Sequence, residues 1–157
     1  MIATIIHSQI GLLHVFAACL ALLSGTLVLA LRKGTRLHKQ MGYLYFAMML
    51  ATNLSAFGLY HLFGKFGPFH FAALLSLFTV TMGMIPAFSR KPKHEWLQRH
   101  IAWIYFSVIG LYAAFASEVI VRIPGLPFFA LVGMATAVVM ICGSIFYHKK
   151  FKNWKAA

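Results

Sequence analysis

The chain has 157 residues, of which 61% are hydrophobic and 10% charged, and its formal net charge is +12. So few charged groups cannot cover a soluble domain of this size. The absence of Asp, with only two Glu, excludes carboxylate-rich metal centres and paired-carboxylate acid–base catalysis. The basic excess does not indicate nucleic acid, because twelve of the fourteen Lys and Arg residues gather in three clusters that follow long uncharged stretches.

The first stretch, residues 1–31, carries no charged side chain and predicts a helix over about 8–31. Phe16-Ala17-Ala18-Cys19 approximates a lipoprotein cleavage box, yet no Lys or Arg precedes the apolar run, so the segment reads as an uncleaved membrane helix rather than a signal peptide. Cys19 and Cys142 lie inside apolar stretches without a Cys-x-x-Cys pair, which assigns them to packing. Arg32, Lys33, Arg36 and Lys39 form the first basic cluster, and a second helix is predicted over 41–63, with Gly42 allowing close helix approach. Gly64-Lys65-Phe66-Gly67-Pro68 is a helix-ending turn before a third helix over 69–88. Arg90, Lys91, Lys93 and Arg99 form the second cluster and lead into a fourth helix over 99–121. A turn at Ile123-Pro124-Gly125 then precedes a fifth helix over 126–147, which ends at the third cluster, Lys149, Lys150, Lys152 and Lys155.

Each uncharged stretch is long enough for a bilayer core of ~30 Å, and the clusters follow the first, third and fifth. The expectation is an all-α polytopic membrane protein: one domain over 1–157 with five transmembrane helices, its N-terminus outside and its C-terminus inside. The expected home of such a chain is the bacterial cytoplasmic membrane. Tyr43, Tyr45, Trp96, Trp103 and Tyr105 fall where an inner interfacial belt of aromatic rings is expected.

A weak internal repeat accompanies this pattern. Gly11-x-x-His14 recurs as Gly67-x-x-His70, and at the same offset His38 falls on His94. Helices 1–2 and 3–4 then read as two parallel repeats about an axis along the membrane normal, with helix 5 outside them.

Ionisable groups inside a bilayer are costly and are functional candidates by default. His14 lies 17 residues from Leu31, His70 lies 18 from Phe88, His61 lies 20 from Met41 and Glu118 lies 18 from His100. Each comes out ~25–30 Å from the inner face, in one layer near the outer headgroups. Imidazole nitrogen suits haem iron and transition metals. His14 and His70, as repeat mates, would clamp one haem b; alternatively His14, His61, His70 and Glu118 would hold a non-haem metal. Arg122, one turn after Glu118, would pair with it or hold a propionate. The bland alternative is that these histidines bond to backbone, water or headgroups and that Glu118 and Arg122 neutralise each other. At the other face, His38, His94 and His100 lie among basic residues, as an anion-binding site or as a solvated loop. His7 and His148 read as inert.

Gly11-x-x-His14, Leu23-Ser24-Gly25, the run from Arg32 to His38, Gly42-x-x-Tyr45, Phe69-His70-x-x-Ala73, His100 and Glu118-x-x-x-Arg122 together resemble an uncharacterised family of small polytopic membrane proteins, domain of unknown function 2306. The resemblance covers most of the chain. It implies a fold and a set of recurring polar residues (His14, His38, His70, His100, Glu118, Arg122) without an activity.

Three functions fit. The first is a haem- or metal-binding protein of membrane electron transfer, with a quinone as a conceivable partner. The second is a non-catalytic subunit or assembly factor of a larger membrane complex. The third is a small transporter, which lacks the usual broken mid-membrane helices, since Pro86 is the only proline beyond the first turn of a predicted helix. No Gly-x-Ser-x-Gly, P-loop or dinucleotide fingerprint is present, and the sequence assigns no catalytic residue.

Overall fold

In the computed structural model, residues 8–60, 64–123, 125 and 127–156 are described. They form five helices: α1 (Gln9–Ala30), α2 (Arg36–Ala56), α3 (Pro68–Ser89), α4 (Trp96–Ile120) and α5 (Phe128–Ala156). Four of them, α1, α3, α4 and α5 over Phe128–Phe151, are long and apolar enough to cross a membrane. The chain is a polytopic helical membrane protein.

The boundaries depart from the expected ones in two helices. α2 starts five residues earlier than predicted because Thr35 Oγ1 accepts from the His38 amide and caps the helix inside the basic run. It ends at Ala56 rather than 63, where Phe57 and Gly58 close the last turn onto the Leu54 and Ser55 carbonyls. α5 runs through the basic tail to Ala156, since Lys and His are tolerated in a helix and cations favour its C-terminal end.

The chain divides into two compact units, Met1–Thr81 and Met82–Ala157. The division runs through α3 rather than between the proposed repeats.

In the first unit α1 and α2 form an antiparallel hairpin. α1 turns Gly11, Ala17, Ala21, Ser24, Gly25 and Val28 inward, a stripe of small residues at helical spacing. Between membrane helices such a stripe lets backbones approach and gain dispersion contact, because lipid removes the hydrophobic drive. α2 supplies the large side chains, with Tyr45 and Met49 fully buried. It also hides Thr52, Asn53 and Ser55, which make it less apolar than the other helices. Each bonds to a carbonyl of its own helix: Thr52 to Met48, Asn53 to Met49, Ser55 to Ala51. The C-terminus of α1 is closed by Lys33, whose Nζ donates to the Val28 and Leu29 carbonyls at 2.8 Å each.

In the second unit α4 packs on α5 along a narrow seam. Tyr105, 1% exposed, donates its hydroxyl to the Gly143 carbonyl at 2.7 Å. A Cβ on Gly143 would lie 2.7 Å from Ile109, and one on Gly83 of α3 would lie 2.6 Å from Ile104. Close approaches therefore include Gly83 and Gly143, and Gly58 in the first unit, where a Cβ would meet Ile10 at 3.2 Å. Gly42, expected in this role, has no described atom within that reach.

Two other expectations change. Tyr45 and Tyr105 are core residues, not members of an interfacial belt, because their rings fill the seams between helices. Cys19 and Cys142 point outward and do not pack inside.

Candidate functional site

At one end of the first unit, three pieces of chain converge: the start of α1, the end of α2 with residues 57–60, and the start of α3. His14, in the second turn of α1, places Nδ1 3.0 Å from the Thr52 carbonyl and 3.0 Å from Ser55 Oγ. A carbonyl can only accept, so Nδ1 carries the proton and the neutral ring presents a lone pair at Nε2. This is the arrangement in which protein metal sites orient their histidines, with the distal nitrogen ligating and the other donating to backbone.

His70 is built differently. Gly67 precedes Pro68, which opens α3 with the ring that suits a first helical position. Two residues later His70 turns back, and its Nδ1 accepts from the Gly67 amide at 3.0 Å. This is half of a capping box, with imidazole in place of the usual carboxylate or amide. Accepting at Nδ1 leaves the proton on Nε2 in the neutral ring. Phe66 stacks on the imidazole with centroids 4.6 Å apart, and Tyr60 lies at 4.9 Å and Phe57 at 6.3 Å. The residue is 4% exposed, and Nε2 is buried with no hydrogen-bond partner among the described residues.

The expected layer is thus assembled in part. His14 and His70 both border the segment 52–60 at one end of the first unit. The expectation for His61 lies outside the described residues. Glu118 belongs to the second unit, where Arg122 bonds it as anticipated, through Nη2 to Oε2 at 2.6 Å and through Nη1 to the Glu118 carbonyl. Among the described residues, no group of three or more His, Cys, Asp or Glu side chains could hold a metal ion.

Of the basic-face histidines, His38 belongs to the first unit and His94 and His100 to the second. His38 is half-buried in the first turn of α2, and His94 is exposed before α4. His100 reaches from α4 to α3, its Nδ1 2.8 Å from the Gly83 carbonyl. Pro86 lacks the amide that would bond the Met82 carbonyl, one residue before the Gly83 carbonyl that His100 meets.

Sequence reasoning missed Thr52 and Ser55, the partners of His14, and the rings of Phe57, Tyr60 and Phe66 around His70. The available signals were a Thr-x-x-Ser spacing in an otherwise apolar helix and aromatic residues on either side of the Gly-rich turn.

The profile of one protein family, described as predicted membrane protein (DUF2306), matches residues 11–147. No curated protein matches the chain, and no solved structure does.

Proposed function

The chain belongs to the DUF2306 family of predicted membrane proteins, and from that premise we propose that it carries a redox centre for membrane electron transfer, a haem b or a transition metal, at the end of its first unit. The observation that carries this reading is the setting of His14. Its Nδ1 is committed to the Thr52 carbonyl and Ser55, which fixes the ring, so that any ligation would go through Nε2. Thr52 and Ser55 are themselves buried, so the support is rigid. His70 borders the same segment as the second imidazole. To ligate through Nε2 it would have to shift its proton to Nδ1 and release the Gly67 amide. His14 is therefore assigned as the primary ligand.

The absorbance spectrum of detergent-purified protein, oxidised and dithionite-reduced, with metal analysis of the same sample, tests this. A Soret band that sharpens on reduction, or a stoichiometric metal, is expected, with loss of either in His14→Ala. A colourless, metal-free protein from cells supplied with haem and metals would overturn the reading. The non-catalytic subunit of a larger membrane complex would then take its place.

A further inference from the structure

His70 holds an unused donor in a place where unused donors are expensive. Its Nδ1 is occupied in capping α3 and fixes the proton at Nε2. The Nε2–H is enclosed at 4% residue exposure without an acceptor among the described residues. A buried donor left unpaired loses its hydration without compensation. Capping alone does not call for this, because an Asp, Glu or Gln side chain accepts from the same amide. The surroundings are equally specific. Phe66 stacks on the imidazole at 28° and Tyr60 is tilted to it by 32°, and both rings are 44% exposed, so the imidazole is covered by ring faces that are themselves partly open. The donor needs an acceptor oxygen, and a wall of ring faces admits a flat or slender apolar group.

We infer that His70 is a hydrogen-bond donor, through Nε2–H, to the carbonyl oxygen of a membrane-soluble ligand that enters between Tyr60 and Phe66. Two membrane components carry that chemistry, the headgroup of a quinone and the acyl ester of a phospholipid. The inference concerns a ligand other than the centre at His14 and stands whether or not His14 holds a metal.

The test uses full-length protein labelled with ¹⁵N-histidine in nanodiscs, with the His70 signals assigned by their loss in His70→Gln. The tautomer is read first: a protonated Nε2 and a bare Nδ1 are expected, and the reverse would overturn the proposal. The discs are then made with diacyl phosphatidylcholine or with its dialkyl ether analogue, which has no carbonyl, and each is titrated with decylubiquinone. A shift of the His70 Nε2–H on adding quinone to ether discs identifies the quinone. A difference between diacyl and ether discs without quinone identifies the lipid ester. No change in any arm would overturn the proposal. If quinone is the ligand, His70→Ala weakens its binding about tenfold, the loss of one hydrogen bond, and His70→Gln, which keeps a donor, stays within about threefold. Equal binding by wild type and His70→Ala would also sink it. Tyr60→Ala, which leaves the α3 cap intact, is expected to change quinone affinity without changing the tautomer.

Discussion

His14 and His70 share a Gly-x-x-His motif, yet the fold gives the two imidazoles opposite chemistry. Gly11 is the third residue of α1 and its amide is capped by Ser8, which frees His14 to reach across to α2. Gly67 instead precedes the first residue of α3, and its amide takes the His70 nitrogen. One ring therefore offers a lone pair and the other a proton, a difference set by the partner of Nδ1. Lys33 is the other residue whose surroundings decide its behaviour. Burial lowers its pKa from 10.5 to about 8. A neutral amine keeps two N–H groups, enough for the Val28 and Leu29 carbonyls it caps. Below pH 8 Lys33 is charged whether the protein is folded or unfolded, and the folded state bears the burial penalty. Between pH 8 and 10.5 the unfolded chain binds the extra proton, so this residue's contribution to stability rises with pH. Thermal unfolding of wild type and Lys33→Met in detergent at pH 7.5 and 10 checks this. The difference between them is expected to move in favour of wild type at the higher pH, and a pH-independent difference would contradict the assignment.

At the scale of elements, the seams are set by glycines against β-branched side chains. A Cβ on Gly83 would sit 2.6 Å from Ile104 Cδ1 and 3.0 Å from the Ile104 amide nitrogen. The side chain can turn, but the backbone nitrogen cannot, so Gly83→Ala must separate α3 from α4. We expect a loss of about 1–3 kcal/mol, the usual cost of overpacking, seen as a lower melting temperature in detergent. Gly42→Ala serves as the control, because its position is open, and a better helix former there is expected to be neutral or slightly stabilising. His100 shares this seam through the Gly83 carbonyl, a bond between helices. Glu118 and Arg122 are likewise accounted for by each other, an i, i+4 pair near the end of α4.

For the whole molecule the open question is the path of α2. Its apolar part runs only from Met41 to Ala56, about 24 Å of helix, and polar residues occupy its far end. Five crossings still follow from the charge pattern, since they alone put all three basic clusters on one side. α2 meets that demand by turning Thr52, Asn53 and Ser55 away from lipid. Single cysteines in a Cys19→Ser, Cys142→Ser background test the path. Leu37→Cys and Lys91→Cys are expected to react with an impermeant reagent only in inverted vesicles, and Lys65→Cys and Ile123→Cys only in intact cells. Reaction of positions 37 and 65 from the same side would mean that α2 does not cross.

The sequence alone determined the class, the number of helices and most of their limits, because the exclusion of charge from a bilayer is written directly in residue order. It also picked out His14, His70 and the Glu118–Arg122 pair, since intramembrane ionisable groups are rare enough to stand out. It did not reveal where α2 begins and ends, because a Thr cap and a Gly turn outweigh hydropathy locally. Nor did it show which glycines lie in seams or that Tyr45 and Tyr105 are core. In a uniformly apolar helix nothing in residue order marks the side that faces protein rather than lipid. Above all, the proton position on His14 was decided by tertiary structure, whereas that on His70 follows from the local bond to Gly67. A tautomer is fixed by whichever acceptor or donor the fold brings to Nδ1, and for His14 that partner lies 38 residues away.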